Sequence, residues 1–381
     1  MADQDVQRPG GGRPPRLSVL RWEEAPEGPA LVLLDQTLLP AEEVELRCTD
    51  VPALVEAVRT LAVRGAPLLG IAGAYGVALA AARGYDVEES AGLLERARPT
   101  AVNLGRGVRA AADAHRRVLA GGGSAEAAAS AALGAAEELH RADAEASRRM
   151  ASHGLALLEE LLPGGGYRLL THCNSGALVS GGEGTAFAVA LAAHRAGELR
   201  RLWVDETRPL LQGARLTAFE AARHGMPYSL LADNAAGSLF AAGEVDAVVI
   251  GADRIAADGS VANKVGSYPL AVLARYHHVP FVVVAPTTTL DASTARGDSI
   301  EIEQRPGREV TEFTLLRAGA EAARDGGVSL APLGAQAYNP AFDVTPPGLV
   351  TAVVTEEGVL SPVTGGGIAE LCARSRRVSM S

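Results

Sequence analysis

The spacing of hydrophobic positions changes once along the chain, at the glycine-rich break formed by residues 163–166. Between residues 87 and 161 the apolar positions recur mostly with the 3.6-residue period of amphipathic helices. Proline or consecutive glycines interrupt this pattern at 98–104 and 121–124. The pattern therefore predicts that the first half of the chain is mainly helical.

Two features near the beginning of the chain add detail to this half. Asp50 is placed to cap a helix in which Leu54 and Val58 have helical spacing. Before it, short apolar runs at 17–22 and 30–35 flank a turn that contains proline and glycine. This arrangement is typical of two paired strands, so we predict a small antiparallel hairpin.

After the break, short apolar runs alternate with helical stretches. We predict strands at 168–171, 201–204, 228–231, 247–250, 281–285 and 349–354, and helices at 185–195, 217–224, 235–242 and 264–276. Such alternation is typical of a parallel sheet covered by helices on both faces. The predicted fold class is α/β, with a mainly helical N-terminal domain carrying a small β-sheet, followed by a Rossmann-like doubly wound parallel sheet. The predicted boundaries are a disordered tail at 1–16, the helical domain at 17–162, the Rossmann-like domain at 163–371 and a C-terminal tail at 372–381.

Composition argues against several classes of function. The net charge of −10 disfavours a broad nucleic-acid-binding surface. The three cysteines, Cys48, Cys173 and Cys372, form no CxxC pair, so neither a disulfide framework nor a zinc site is indicated. The sequence contains neither a GxGxxG motif that opens a βαβ unit nor a Walker A motif, so no nucleotide cofactor is indicated. The chain shows neither a secretory signal nor an apolar run of membrane-spanning length, and we expect a cytoplasmic protein with no membrane partner.

Residues 167–186 form the stretch that most clearly indicates a ligand-binding site. They read as a strand, a polar loop rich in glycine and the start of a helix, and the loop contains Cys173. Glycines permit close approach of a ligand to the backbone, and a helix N-terminus attracts anions. Ligands of open α/β sheets bind at the carboxyl ends of strands. We therefore predict that a small anionic ligand binds here, beside Cys173.

Four other polar segments accompany the predicted strands. Those at 206–217, 251–264 and 286–291 follow strands directly, and the segment at 338–345 lies near the last strand. Because strand ends of a doubly wound sheet converge on one crevice, we expect a single pocket to collect polar residues from several segments. The expected set is Cys173, Arg208, Gln212, Asp253, Asn263 and Lys264.

Seven motifs in order along nearly the whole chain resemble a known family. They are Val-Arg-Gly-Ala-Pro at 63–67, Arg-Pro-Thr-Ala-Val-Asn-Leu at 98–104, Thr-His-Cys-Asn-Ser-Gly at 171–176, Glu-Thr-Arg-Pro-Leu-Leu-Gln-Gly-Ala-Arg-Leu-Thr at 206–217, Gly-Ala-Asp-Arg-Ile-Ala at 251–256, Ala-Asn-Lys at 262–264 and Asn-Pro-Ala-Phe-Asp-Val-Thr at 339–345. The family is the one that methylthioribose-1-phosphate isomerases share with the alpha, beta and delta subunits of the guanine-nucleotide exchange factor for translation initiation.

The resemblance implies an isomerase of methionine salvage that converts 5-methylthioribose 1-phosphate to 5-methylthioribulose 1-phosphate. It implies that Asp253, protonated in a dry pocket, gives its proton to the ring oxygen. Cys173 would act either as a base at C2, through a phosphoenolate, or as a partner in a hydride shift. The substrate-binding residues implied by the match are Arg64, Gly65, Ala66, Arg98, Gln212, Asn263 and Lys264. The match also implies a homodimer that needs no metal or organic cofactor.

Simpler structural roles compete with these assignments. Cys48 and Cys372 are expected to be small hydrophobic residues, as lone cysteines usually are. Taken alone, Asp253 could be a helix N-cap, Arg98 a solvated loop charge and residues 263–264 an ordinary helix start. The family match is what favours the functional interpretation of these positions.

Three further positions bear on the predicted site, and two of them depart from the family pattern. His172 is not expected to pair with Cys173, because adjacent residues on a strand point to opposite faces. Glu183 departs from the family pattern and adds a negative charge beside the proposed phosphate site. Arg106 stands where relatives tend to carry tryptophan, and it could favour a second anionic group on the sugar.

Two alternatives to the leading hypothesis stay open at this point. The substrate could be a related sugar 1-phosphate, such as 5-deoxyribose 1-phosphate or ribose 1,5-bisphosphate. The chain could instead be a non-catalytic regulatory subunit that binds a nucleotide or a sugar phosphate, like the translation-factor relatives. The presence of both Cys173 and Asp253 argues against the second alternative.

Overall fold

The structure is a computed structural model that describes residues 17–98, 101–314 and 327–378. The predicted tail at 1–16 lies outside the described residues, and the boundary at 162–163 stays a prediction. The first half begins with an antiparallel sheet of strands β1 (Leu20–Glu23), β2 (Ala30–Leu34) and β3 (Glu45–Cys48). Its helices are α1 (Val51–Arg59), α2 (Ala66–Ala82), α3 (Val87–Glu95), α4 (Val102–Ala120) and α5 (Ala125–Leu161).

Local signals in the helical half are confirmed, with one omission. The Asp50 side chain accepts a hydrogen bond from the backbone N–H of Ala53 at 2.8 Å and so caps α1. The predicted hairpin corresponds to β1 and β2. The prediction missed β3 because two of its residues, Glu45 and Arg47, are exposed and charged and leave no apolar run.

Helix α2 forms the centre of the helical half. It is apolar around most of its circumference, which is typical of a helix covered on all sides, and it packs against both α4 and α5. A Cβ on Gly107 of α4 would collide with the carbonyl group of Gly70 in α2, so glycine is required for this close approach. The first turn of α2, beginning at Ala66, is thereby held at the edge of the pocket described below.

The second half contains the large sheet. Its strands are β4 (Tyr167–Thr171), β5 (Leu199–Asp205), β6 (Tyr228–Leu231), β7 (Ala247–Ile250), β10 (Phe281–Val284), β15 (Ala352–Thr355) and β16 (Gly358–Leu360). A smaller mixed sheet contains β8 (Arg254–Ala256), β9 (Val261–Lys264), β11 (Leu290–Asp291) and β14 (Phe342–Thr345). Strands β12 (Glu312–Thr314) and β13 (Gly327–Ser329) pair with each other. The helices are α6 (Ala186–Arg195), α7 (Ala218–Arg223), α8 (Ala236–Ala241), α9 (Ser267–Tyr276), α10 (Arg308–Thr311) and α11 (Gly365–Val378).

The order of the large sheet is β16-β15-β10-β7-β4-β5-β6, and every pair is parallel except β15 with β16. From β4 the chain proceeds outward to β5 and β6, and then returns to the other side of β4 to form β7, β10 and β15. The direction of winding therefore reverses between β4 and β7. A reversal of this kind opens a crevice at the carboxyl ends of the two strands, where α/β proteins bind ligands.

The predicted α/β fold class is confirmed, while individual elements differ. The helix predicted at 264–276 begins only at Ser267, because residues 261–264 form β9 between β8 and β14. Gly266, with φ of 108°, makes the turn between that strand and α9. The helix predicted at 217–224 is preceded by a π-helical turn at Gly213–Thr217. None of the helices formed by the described residues is long and apolar enough to cross a membrane.

Candidate active site

Cys173 follows β4 in an uncommon backbone conformation. Its φ of 63° lies in the left-handed region, which non-glycine residues rarely adopt. Two threonines from other segments hold it there. The Cys173 N–H donates to Oγ1 of Thr207 at 2.8 Å, and Oγ1 of Thr217 donates to the Cys173 carbonyl at 2.6 Å. Backbone strain stabilised by its surroundings is common at functional sites, and here it directs a largely buried thiol into the crevice.

Arg64 brings a guanidinium from the helical half to this thiol. Its Nη2 lies 3.6 Å from Sγ of Cys173, and its Nη1 donates to Oδ1 of Asn174 at 3.1 Å. The next residue, Gly65, has φ of 94°, and a Cβ there would collide with the side chain of Val179. Glycine is therefore required for the start of α2 to approach the cysteine loop.

Asp253 enters the same pocket from the loop after β7. Burial raises the pKa of its carboxyl group, and the positive charges of Lys264 and Arg98 oppose that rise. Its backbone N–H donates to the carbonyl of Ala262 at 3.0 Å, which fixes the loop against β9. Since no helix begins here, Asp253 is not an N-cap. A carboxyl with a raised pKa in a pocket is suited to be a general acid.

Residues 263–264 at the end of β9 supply the facing wall. Nζ of Lys264 donates to the carbonyl of Ala341 at 2.9 Å and lies 4.7 Å from the ring centroid of Phe342. Burial lowers the pKa of this ammonium, against the opposing effect of nearby Cys173. Because these two residues end a strand, the alternative of an ordinary helix start is wrong.

Arg98 completes a group of cations around the pocket. Its Nη2 lies 3.0 Å from Oε2 of Glu303, and Nη1 of Arg305 lies 2.9 Å from Oε1 of the same carboxylate. The Arg98 side chain is only 16% exposed, so it is not a solvated loop charge. Arg305 also lines the pocket but was not predicted, because no sequence pattern marks it.

One pocket contains all the residues that the resemblance implied. They are Arg64, Gly65, Ala66, Arg98, Cys173, Gln212, Asp253, Asn263 and Lys264. Lining residues that sequence reasoning did not single out include Asn174, Thr185, Arg305 and Phe342. Asn174 and Thr185 lie in or beside the glycine-rich loop, and this proximity was the available signal.

Arg208 was predicted to lie in this pocket, and that prediction is wrong. Its N–H donates to Oδ2 of Asp233 at 2.8 Å, and its Nη2 donates to the carbonyl of Val310 at 2.8 Å. The guanidinium lies 4.7 Å from the ring centroid of Phe313. The preceding residue, Thr207, has φ of 63°, and this turn places the Arg208 side chain in a neighbouring groove.

His172 is bonded to groups other than the thiol, as predicted. Its Nδ1 lies 3.0 Å from Oδ2 of Asp205, and its Nε2 lies 2.9 Å from the carbonyl oxygen of Val265. The Val265 carbonyl can only accept, so Nε2 carries a proton, and one further proton lies between Nδ1 and Oδ2 of Asp205. Burial lowers the pKa of His172, but the hydrogen bond to Asp205 gives a net rise. Burial raises the pKa of Asp205 as well. The two groups form a buried, hydrogen-bonded pair behind the cysteine loop.

The two departures from the family pattern lie outside the pocket lining. Both carboxylate oxygens of Glu183 lie 2.6 Å from the guanidinium of Arg195, which compensates the negative charge expected beside the anion site. Nη1 of Arg106 donates to the carbonyl of Thr288 at 2.7 Å on the exposed side of α4. Neither side chain is therefore placed to contact a ligand in the pocket.

Comparison with known proteins agrees with this geometry. The methylthioribose-1-phosphate isomerase of Klebsiella pneumoniae is 48% identical over 335 residues, covering 87% of this chain and 92% of the relative. The crystal structure of 5-methylthioribose 1-phosphate isomerase from Pyrococcus horikoshii OT3 is 35% identical with a TM-score of 0.79, covering 92% of this chain and 94% of that one. The structure of translation initiation factor eIF-2B, subunit delta, from A. fulgidus is 38% identical with a TM-score of 0.75, covering 93% and 99%. Residues 62–362 match the model of the Initiation factor 2 subunit family, and the chain belongs to that family.

Proposed function

We propose that this protein is an aldose–ketose isomerase that converts 5-methylthioribose 1-phosphate to 5-methylthioribulose 1-phosphate in methionine salvage. One observation carries the proposal: the buried thiol of Cys173 and the partly buried carboxyl of Asp253 enter one cationic pocket from either side of the sheet's winding reversal. The names of the relatives that are 48% and 45% identical support the same substrate.

The reaction needs an acid because the anomeric oxygen of the substrate is phosphorylated and cannot open the ring. Asp253, protonated, would give its proton to the ring oxygen as the bond between that oxygen and C1 breaks. In one route the Cys173 thiolate removes the proton from C2 to form a phosphoenolate and returns it to C1, while the 2-hydroxyl becomes a ketone by giving its proton to the ionised Asp253. In the other route hydride moves from C2 to C1 within the substrate, with Cys173 adjacent, and the 2-hydroxyl gives its proton to the ionised Asp253.

The pocket offers complementary groups for the rest of the sugar phosphate. We assign the phosphate to Arg64, Arg98 and Lys264, since guanidinium groups bind two phosphate oxygens at once and an ammonium adds a compact charge. The backbone at Gly65 and Ala66 begins α2, where free N–H groups favour anions.

Gln212 and Asn263 would bind the sugar hydroxyls. Among the hydrogen bonds of the described residues, the buried Oε1 of Gln212 has no partner, although such atoms are nearly always bonded. A ligand hydroxyl donating to this oxygen would satisfy it. Asn263 is held by a 2.9 Å hydrogen bond from its Nδ2 to Oγ of Ser267, which leaves its amide oxygen for the ligand.

We further propose a homodimer in the cytoplasm. The outer face of α9 carries Tyr268, Val272 and Tyr276, all exposed and spaced four residues apart, so that they form one apolar stripe. A second copy of the chain would remove this stripe from water. The compartment follows from the proposed substrate, because a charged phosphate ester does not diffuse across a membrane.

Specificity constants distinguish the substrate from its rivals. We expect kcat/KM for 5-methylthioribose 1-phosphate to exceed those for 5-deoxyribose 1-phosphate and ribose 1,5-bisphosphate, since removing an apolar group typically costs 10- to 200-fold. A higher value for the bisphosphate would contradict the assignment. No turnover of any of the three, together with tight nucleotide binding, would favour the regulatory-subunit alternative.

A further inference from the structure

A buried carboxylate lies directly beneath the cysteine loop. Glu220 of α7 is only 2% exposed, and its oxygens accept hydrogen bonds from Nδ2 of Asn174 at 2.5 Å and from the N–H of Leu178 at 3.3 Å. A Cβ on Gly176 would collide with both oxygens, so the loop closes on the carboxylate only because this residue is glycine. Glu220 therefore touches the loop on both sides of Gly176 without reaching the pocket.

The carboxylate determines which way the Asn174 amide points. A carboxylate accepts hydrogen bonds and cannot donate them, so the NH₂ group of Asn174 must face Glu220. The same NH₂ group lies 3.3 Å from Oγ1 of Thr217. Only the amide oxygen then faces the opposite direction, where it accepts the 3.1 Å hydrogen bond from Nη1 of Arg64.

The second Arg64 nitrogen lies 3.6 Å from Sγ of Cys173, so a continuous series of contacts joins the buried carboxylate to the thiol. A guanidinium held beside a cysteine favours the thiolate. We propose that Glu220 is a positioning residue, which orients the Asn174 amide and so holds the guanidinium of Arg64 beside the thiol of the active site. A role of Glu220 in catalysis rests on the function proposed above, whereas the test of its positioning role does not require turnover.

Whether the alkylation of Cys173 becomes slower or faster in a Glu220 variant distinguishes a positioning role from other roles of this carboxylate. In Glu220→Gln the side chain keeps one acceptor oxygen and gains an NH₂ group, so one of its two loop contacts becomes donor against donor. The Asn174 amide is then no longer restricted by a carboxylate to the orientation that offers Arg64 an acceptor. Positioning then predicts slower alkylation of Cys173. Loss of a nearby negative charge acting through space would instead favour the thiolate and speed alkylation, and a loosened loop would expose the thiol and speed it too.

The test is the rate of alkylation by iodoacetamide at pH 7.5, with the rate of Cys173→Ser subtracted to remove Cys48 and Cys372. We expect about a tenfold lower rate for Glu220→Gln, because the thiol loses its fixed cationic neighbour. Asp143→Asn is the matched control, because the partly buried Asp143 accepts hydrogen bonds from the same loop, from Oγ of Ser180 and the N–H of Gly181 at 2.6 Å each, without a link to Arg64. Its alkylation rate should equal that of the wild type.

If Glu220→Gln does not fold, Asn174→Ala serves instead, because it removes the amide that links Glu220 to Arg64. It should slow alkylation equally. An unchanged or faster rate in either folded variant overturns the proposal. Where turnover is measurable, Glu220→Gln should lower kcat more than it raises KM. A wild-type protein without isomerase activity would refute the proposed function and leave the alkylation result to decide the positioning role alone.

Discussion

Nη2 of Arg64 lies 3.6 Å from Sγ of Cys173, although 109 positions separate the two residues in the chain. The arginine belongs to the helical half and the cysteine to the large sheet, so the pocket exists only where the two halves meet. This contact gives the thiol a cationic neighbour in the pocket that Asp253 also lines. The two halves together therefore form a site that neither could form alone.

Replacing the thiol tests the role of Cys173. Cys173→Ser retains the shape of the side chain but is a far weaker base, so we expect kcat to fall roughly 10²- to 10⁴-fold with little change in thermal stability. Steady-state kinetics and a melting curve measure both quantities. Cys372→Ser, at a partly buried position away from the pocket, should retain wild-type activity. Full activity in Cys173→Ser would remove the cysteine from the mechanism.

The pH dependence of activity tests Asp253 as the general acid. Burial raises the pKa of its carboxyl, so the protonated form persists to higher pH than for an exposed aspartate. Activity should fall as pH rises through that raised pKa, because the ionised form has no proton to give. Profiles of kcat/KM against pH report this group in the free enzyme.

Asp253→Asn should lower kcat roughly 10²- to 10⁴-fold, because an amide cannot act as the acid. Any residual activity should no longer show the decline at high pH. The matched control is Asp143→Asn, which removes another partly buried carboxyl of raised pKa that does not line the pocket. If Asp253→Asn retained the wild-type profile, another group would have to supply the proton.

Phosphate binding is tested at Arg98. Removing one charged hydrogen-bonding partner typically costs about 1.5–3 kcal/mol, so Arg98→Ala should raise KM roughly 10- to 100-fold. Arg106→Ala is the matched control, since that guanidinium donates to a carbonyl outside the pocket. Equal effects of the two substitutions would contradict the assignment of Arg98 and revive a role for Arg106 in substrate recognition.

The stability of the protein should depend on Glu220 in a defined pH range. Burial raises the pKa of this carboxyl from 4.5 to about 7, so the unfolded chain releases its proton at lower pH than the folded chain does. Its contribution is therefore fully present below about pH 4.5 and is lost as pH rises to about 7. Between pH 5 and pH 8 the free energy of unfolding should fall by roughly 2–3 kcal/mol from this group.

Urea denaturation of the wild type and of Glu220→Gln at these two pH values measures the effect. The wild type should lose stability relative to the variant as pH rises, because glutamine does not titrate. Parallel pH dependences in the two proteins would show that the folded and unfolded states bind the proton equally at this position.

Residues at strand ends could be predicted from sequence because the signal is local. A short apolar run followed by a polar loop located Cys173 and Asp253, and the family motifs added Arg64 and Arg98 from distant segments. Arg208 was misplaced because a pattern of residue types does not reveal that the preceding Thr207 has φ of 63° and turns the chain.

Two other features depended on the tertiary fold. Glu220 lies in a short helix among alanines, where a carboxylate normally faces water, and only the loop packed above it makes it buried. Strand β9 is only four residues long, and it forms a strand because it pairs with β8 and β14. No periodic pattern of apolar residues within the segment indicates this pairing. The chemistry of the site was therefore more predictable than the contacts that support it.

The most direct measurement is an NMR time course of 5-methylthioribose 1-phosphate with the purified wild-type protein. We expect conversion to a single ketose, 5-methylthioribulose 1-phosphate, with the phosphate still attached to C1. Substrate that stays unchanged, or that releases its phosphate, would contradict this expectation.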